Sequence, residues 1–136
     1  MRLPSLERDY WGLVSGEARH AESSESFWIP ALSERQSLKV GQVAKLIFEI
    51  ESENERGEVE RNYERMWVVV LEIASPYYIG RLINKPATVD ETEEFYLSLG
   101  AEVPFLPEHV IDIDQPPEEF LKTLFSEKPR NVWPRV

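Results

Sequence analysis

Apolar positions along this chain recur at two periods, and each period predicts a different element. From Gln42 to Glu53 the stretch QVAKLIFEIESE sets Glu49, Glu51 and Glu53 in alternation with Ile50 and Ser52, which predicts an edge strand with an acidic outer side. In MWVVVLEI, Met66, Val68, Val70 and Glu72 fall on one face and Trp67, Val69, Leu71 and Ile73 on the other, both mainly apolar. A strand apolar on both faces belongs in the middle of a sheet. The intervening Asn54 to Arg65, NERGEVERNYER, carries Asn54, Gly57 and charges of both signs, and predicts a hairpin connection or an irregular loop. After Ala74, Ser75-Pro76 makes a turn and YYIGRLIN returns as the partner strand, stopped by Pro86, which has no N–H to give a ladder. Gly80 within that strand predicts a bulge or a close approach of another backbone, and with it a sharply curved sheet.

Elsewhere the pattern is helical or broken. Residues 1–26 read as a peripheral short strand at Tyr10 and Trp11 followed by a mobile loop, EARHAESSES. FWIP is extended up to Pro30, and ALSERQS after it suits a short helix. Thr88 or Asp90 with Glu93 predicts a helix N-terminus closed by Gly100, with Phe95, Leu97 and Leu99 loosely on one face. Pro104 and Pro107 restrict the following segment to a sheet edge or a bulged path, and Val110 to Asp114 reads as a short strand with Ile111 and Ile113 on one face. Pro116 and Pro117 before Glu118 and Glu119 start a helix over 116–128, whose stripe of Phe120, Leu121, Leu124 and Phe125 should cover the sheet, with Trp133 tucked against the core. Two short stretches echo one another: in SLKVGQVAKLIF and YLSLGAEVPF a Leu stands three residues before a Gly that feeds a strand. The expectation is one α+β domain over 1–136, a strongly curved, mainly antiparallel sheet of half-barrel or small-barrel form with two or three short helices.

Composition narrows the function more than it identifies it. A chain of 136 residues that is 42% hydrophobic has one core to build. The net charge of -10 repels phosphate backbones and anionic lipid unless the Arg side chains cluster on one face, and so favours a basic or neutral protein partner. The absence of Cys removes disulfides, thiolate metal sites and Cys nucleophiles. Pro4 and the charges of Glu7, Arg8 and Asp9 interrupt the N-terminus where a signal peptide needs an apolar run, which points to the cytoplasm.

The nearest approach to a chemical constellation is EHVIDID. Alternation places Asp112 and Asp114 on one face near His109, where they would hold a divalent cation or share a proton in a small hydrolase; an outward polar face opposite Ile111 and Ile113 explains the same residues. No phosphate-binding Gly loop, H-E-x-x-H or zinc spacing occurs, and no cofactor is implied. The surface expected to meet a partner is the aromatic turn at Tyr77 and Tyr78 together with the acidic Glu51 and Glu53.

The segments FWIPALSERQSLKVGQVAKLIFEI, ERMWVVVLEI, YYIGRLINKP and LGAEVPFLPEHVI, within Phe27 to Ile113, together resemble the bacterial YegJ-like domain-of-unknown-function family, some relatives of which are proposed immunity proteins of polymorphic-toxin systems. The resemblance implies a small domain of antiparallel sheet with helices and transfers no catalytic residue. The expected function is that of a non-enzymatic binding protein, monomeric or weakly dimeric, facing a basic partner such as a toxin domain. The alternatives are the hydrolase or metal-binding enzyme at His109, Asp112 and Asp114, and a structural subunit that self-associates through exposed sheet edges.

Overall fold

The two alternating stretches form one long hairpin in the computed structural model of the chain, which describes residues 1–89 and 94–136. The element order is α1 (Leu6–Asp9), β1 (Trp11–Val14), α2 (Gly16–Glu22), α3 (Leu32–Arg35), β2 (Val43–Glu53), β3 (Val59–Ala74), β4 (Tyr77–Leu82), β5 (Glu102–Phe105), a 3-10 turn at Pro107–His109, β6 (Asp112–Asp114) and α4 (Glu118–Phe125). All strand pairs are antiparallel, in the order β1-β2-β3-β4-β5. Strand β6 joins the β1 side of β2, taking Val43 to Lys45 while β1 takes Ile47 to Ile50. Strand β2 is therefore paired along both sides and is not the edge that its row of Glu predicts; the carboxylates are tolerated because Glu49 and Glu51 are only half-buried and Glu53 is exposed.

The sheet curls into a half-barrel. Trp11 on β1 and Val103 and Phe105 on β5, from opposite ends of the strand order, share one buried cluster with Phe48, Val70 and Tyr78. The bend has a local cause in β3, where the register against β4 skips between Val70 and Glu72, a bulge that kinks the strand. At Gly80, opposite Val70, the close approach is by side chains and not by the backbone expected: a Cβ built there would lie 2.6 Å from Cγ2 of Val68 and 3.2 Å from the Phe105 ring.

The two echoing stretches make the same turn. Gly41 and Gly100 both adopt positive φ, 96° and 92°, a conformation only glycine enters freely. Each donates its N–H to a strand carbonyl, Val70 and Leu82 respectively. In each the next residue returns a carbonyl to the same strand residue and donates back to the residue two before the Gly. Leu38 and Leu97, three residues before the glycines, are both buried.

Four sequence expectations are corrected. Most of Asn54 to Arg65 is strand: the turn shrinks to Asn54–Glu58, where Asn54 Oδ1 accepts from the N–H groups of Arg56 and Glu58, and VERNYER is held by its ladder to β2 despite its polarity. The loop expected at EARHAESSES is in large part helix α2, N-capped by Ser15, and a further helix, α1, capped by Ser5, precedes the strand at Trp11. The helix expected to end at Gly100 is absent over residues 94–99, where Tyr96 gives its backbone carbonyl to the Asn131 amide and its hydroxyl to the Glu102 carbonyl; Asp90 and Glu93 lie outside the described residues. Helix α4 forms but buries none of its residues, Phe120 and Phe125 being 40% and 46% exposed. It is tied to the outer side of the sheet by Arg81, which donates to the carbonyls of Leu124 and Glu127. The core is closed instead by Trp133, Leu38 and Leu97. Among the described residues the α+β half-barrel thus carries four short α-helices rather than two or three, and no helix is long and apolar enough to cross a membrane.

Candidate functional site

A groove of about 590 Å³ opens beside the β3–β4 turn, lined by Leu32, Pro76, Tyr77, Tyr78, Leu106 and Pro107, with Glu17 and Glu108 in the same lining. Its foundation is Arg35. This guanidinium is almost fully buried at the end of α3 and donates to the Pro30 carbonyl at 2.9 Å, the Pro107 carbonyl at 2.9 Å and the Glu17 carboxylate at 2.6 Å. Three charge-assisted bonds pin α2, α3 and the 3-10 turn around one side chain. Tyr78 adds a fourth tie, its hydroxyl donating to the Arg35 carbonyl at 3.1 Å and accepting from Leu38 N–H at 3.2 Å.

Of the residues expected to meet a partner, Tyr77 and Tyr78 both line this groove, while Glu51 and Glu53 lie elsewhere. Tyr77 stands half-buried in the groove wall. Tyr78 is 4% exposed, stacked on Phe105 at 5.3 Å, and is a core residue with its hydroxyl spent internally. Glu51 and Glu53 line a separate cleft of about 340 Å³ with Tyr10, Val59 and Phe95. Glu51 pairs with Arg61 on β3 and Tyr77 with Ala74, which at about 3.3 Å per residue is roughly 40 Å of strand.

His109, Asp112 and Asp114 do not gather either. His109 is 5% exposed, and its Nδ1 accepts from Leu106 N–H at 3.0 Å, so the neutral ring carries its proton on Nε2, 3.8 Å from the Glu108 carboxylate. The Asp112 and Asp114 carboxylates accept from the N–H groups of Ile113 and Gln115. Among the described residues no three His, Cys, Asp or Glu side chains are arranged to hold a metal ion.

Burial holds the His109 imidazole below its ordinary pKa, against the smaller opposing pull of Glu108 and Glu17. The unfolded chain takes up a proton near pH 6.5 while the folded chain resists until lower pH. Stability from this group is complete above that value and falls as pH drops through the folded-state pKa. The urea midpoint should therefore be lower at about pH 5.5 than at about pH 7.5, and His109→Gln should reduce that difference. An unchanged difference would remove His109 as its source.

Sequence reading missed Glu17, Arg35, Leu106 and Pro107 as parts of one site. The available signal for Glu17 was Ser15 standing before GEARHAE, whose Oγ accepts from Ala18 N–H and starts the helix. No family model matches the chain, and no curated protein or solved structure compared with it is a match.

Proposed function

We propose that this is a non-enzymatic protein-binding domain that receives a basic segment of a partner in the groove at Tyr77, and that it acts in the cytoplasm as an immunity-type protein neutralising a toxin. The observation that carries the binding reading is an apolar groove with two carboxylates in its lining, Glu17 and Glu108, in a chain of net charge -10. Apolar walls supply the area that binding buries, while these carboxylates orient an incoming Lys or Arg and speed its encounter. The buried Arg35 holds Glu17 in place before any partner arrives, which lowers the ordering cost of association. The immunity reading rests on the resemblance to the YegJ-like family and on the charge.

The test uses the tagged chain to capture partners from its own lysate at low and high salt. A basic protein held in stoichiometric amount at low salt and released at high salt is the expected result. Its affinity should fall about tenfold or more in Tyr77→Ala/Glu108→Lys and persist in Glu51→Lys/Glu53→Lys. Loss in the second variant alone would move the site to the far cleft, and capture unaffected by either would sink both assignments.

A further inference from the structure

Beyond the reach of β4, strand β3 is left without a partner on one side among the described residues. Trp67 turns its backbone away from β2, its N–H donating to Oδ1 of Asn84 at 2.7 Å and its carbonyl accepting from Ile83 N–H at 3.1 Å. Backbone groups alternate sides along a strand, so Arg65, Tyr63 and Arg61 direct their N–H and C=O groups to that same side. Strand β4 ends at Leu82, and among the described residues nothing bonds to these backbone groups of the three. The chain leaving β4 is held instead by the Glu64 carboxylate, which lies on the opposite face and accepts from Ala87 N–H, Thr88 N–H and the Thr88 hydroxyl. An exposed strand with free donors and acceptors is a template for another strand.

The side chains on this edge specify the occupant. Arg61, Tyr63 and Arg65 are exposed, and four cations outnumber two carboxylates on the face around them: Arg19 stands over the Tyr63 ring at 5.6 Å, Arg65 over Phe27 at 5.4 Å and Lys45 over Trp67 at 5.6 Å, while Glu49 and Glu51 lie opposite Tyr63 and Arg61, the Tyr63 hydroxyl donating to Glu49 at 3.1 Å. Among the described residues Arg19, Lys45 and Arg65 form no ion pair, and Arg61 reaches only Glu49, at 3.9 Å. Because cations already cover these rings, the face is a poor platform for stacked bases.

A second copy fits badly as well. Antiparallel pairing about a two-fold axis brings residues of the same face opposite one another. Centred on Tyr63 it sets Arg61 against Arg65, and centred on Asn62 it sets Glu60 against Glu64. Centred on Glu60, Arg61, Glu64 or Arg65 it sets that residue against its own copy. Like charges directly opposite are destabilising.

We propose that the outer edge of β3 from Arg61 to Arg65 is a strand-addition site for an extended acidic segment of another protein, whose alternate residues place carboxylates against Arg61 and Arg65. This surface lies toward the opposite end of the hairpin from the Tyr77 groove, and its test is independent of that reading.

The experiment measures amide hydrogen exchange and fluorescence anisotropy of the full chain with a nine-residue peptide alternating Val and Glu, and with its Lys-for-Glu counterpart. The Glu peptide is expected to slow exchange at the Arg61, Tyr63 and Arg65 amides by about tenfold or more, and the Lys peptide to leave them unchanged. Arg61→Glu/Arg65→Glu should weaken binding about tenfold or more. Tyr63→Pro should abolish the protection while keeping the fold, because it deletes an N–H that points away from the β2 ladder. No slowing at millimolar peptide, equal slowing by the Lys peptide, or binding indifferent to both variants would overturn the proposal. Protection of the same amides by a uridine decamer, or by self-association of the chain alone in sedimentation equilibrium, would overturn it in favour of nucleic acid or of a second copy.

Discussion

Trp133→Ala should lower the unfolding free energy by about 3–5 kcal/mol, the range for deleting a buried aromatic side chain. The indole is 2% exposed and meets Trp11 and Tyr96 edge to face at 5.7 and 5.3 Å. Its Nε1–H donates to the Arg2 carbonyl at 3.0 Å, and the Arg2 guanidinium lies 4.7 Å over its ring. Arg2 is itself fixed by two bonds to Asp9, whose carboxyl is held below the ordinary range chiefly by those bonds. Truncation would therefore empty a cavity at the open side of the half-barrel and loosen the joining of the two termini. A loss of this size is a large share of the roughly 5–15 kcal/mol that holds a domain together. Urea unfolding of both proteins measures it; a loss below about 1 kcal/mol would show that Trp133 covers the core without supporting it.

Adding a single methyl group at Gly80 should cost about 1–3 kcal/mol, through overpacking rather than backbone strain. The new Cβ would lie 2.6 Å from Cγ2 and 2.8 Å from Cβ of Val68, and a β-branched residue in a central strand has little rotamer freedom with which to yield. The double variant Gly80→Ala/Val68→Ala should recover only part of the loss, since the Val68 Cβ remains in contact. Unfolding midpoints of the single and double variants decide it; a neutral Gly80→Ala would mean that the two strands separate locally without penalty.

Much of the sheet was legible because strand patterning is local. Both faces of Met66 to Ile73 are apolar and the strand is interior; Pro104 sits on edge strand β5; the glycines of the two echoing stretches both occupy turns that need positive φ. Less legible was Val59 to Arg65, where alternating charged and polar residues read the same whether a strand is paired or a loop is solvated. The fate of α4 was hidden too: an amphipathic stripe says that a helix has an apolar side but not how deeply the sheet will cover it.

The sequence by itself determined the alternation that makes the strands, the glycines that turn them, the excess of negative charge and the absence of cysteine chemistry. These are properties of neighbouring residues or of the total composition. Only the tertiary structure decided that Glu17, Tyr77 and Pro107 line one groove above Arg35, that Glu51 lies at the other end of the hairpin, and that among the described residues nothing bonds to the outer backbone groups of Arg61, Tyr63 and Arg65. Each of these depends on which distant segment closes against which strand, and that is set by the curl of the whole sheet around its aromatic core rather than by any stretch short enough to show a period.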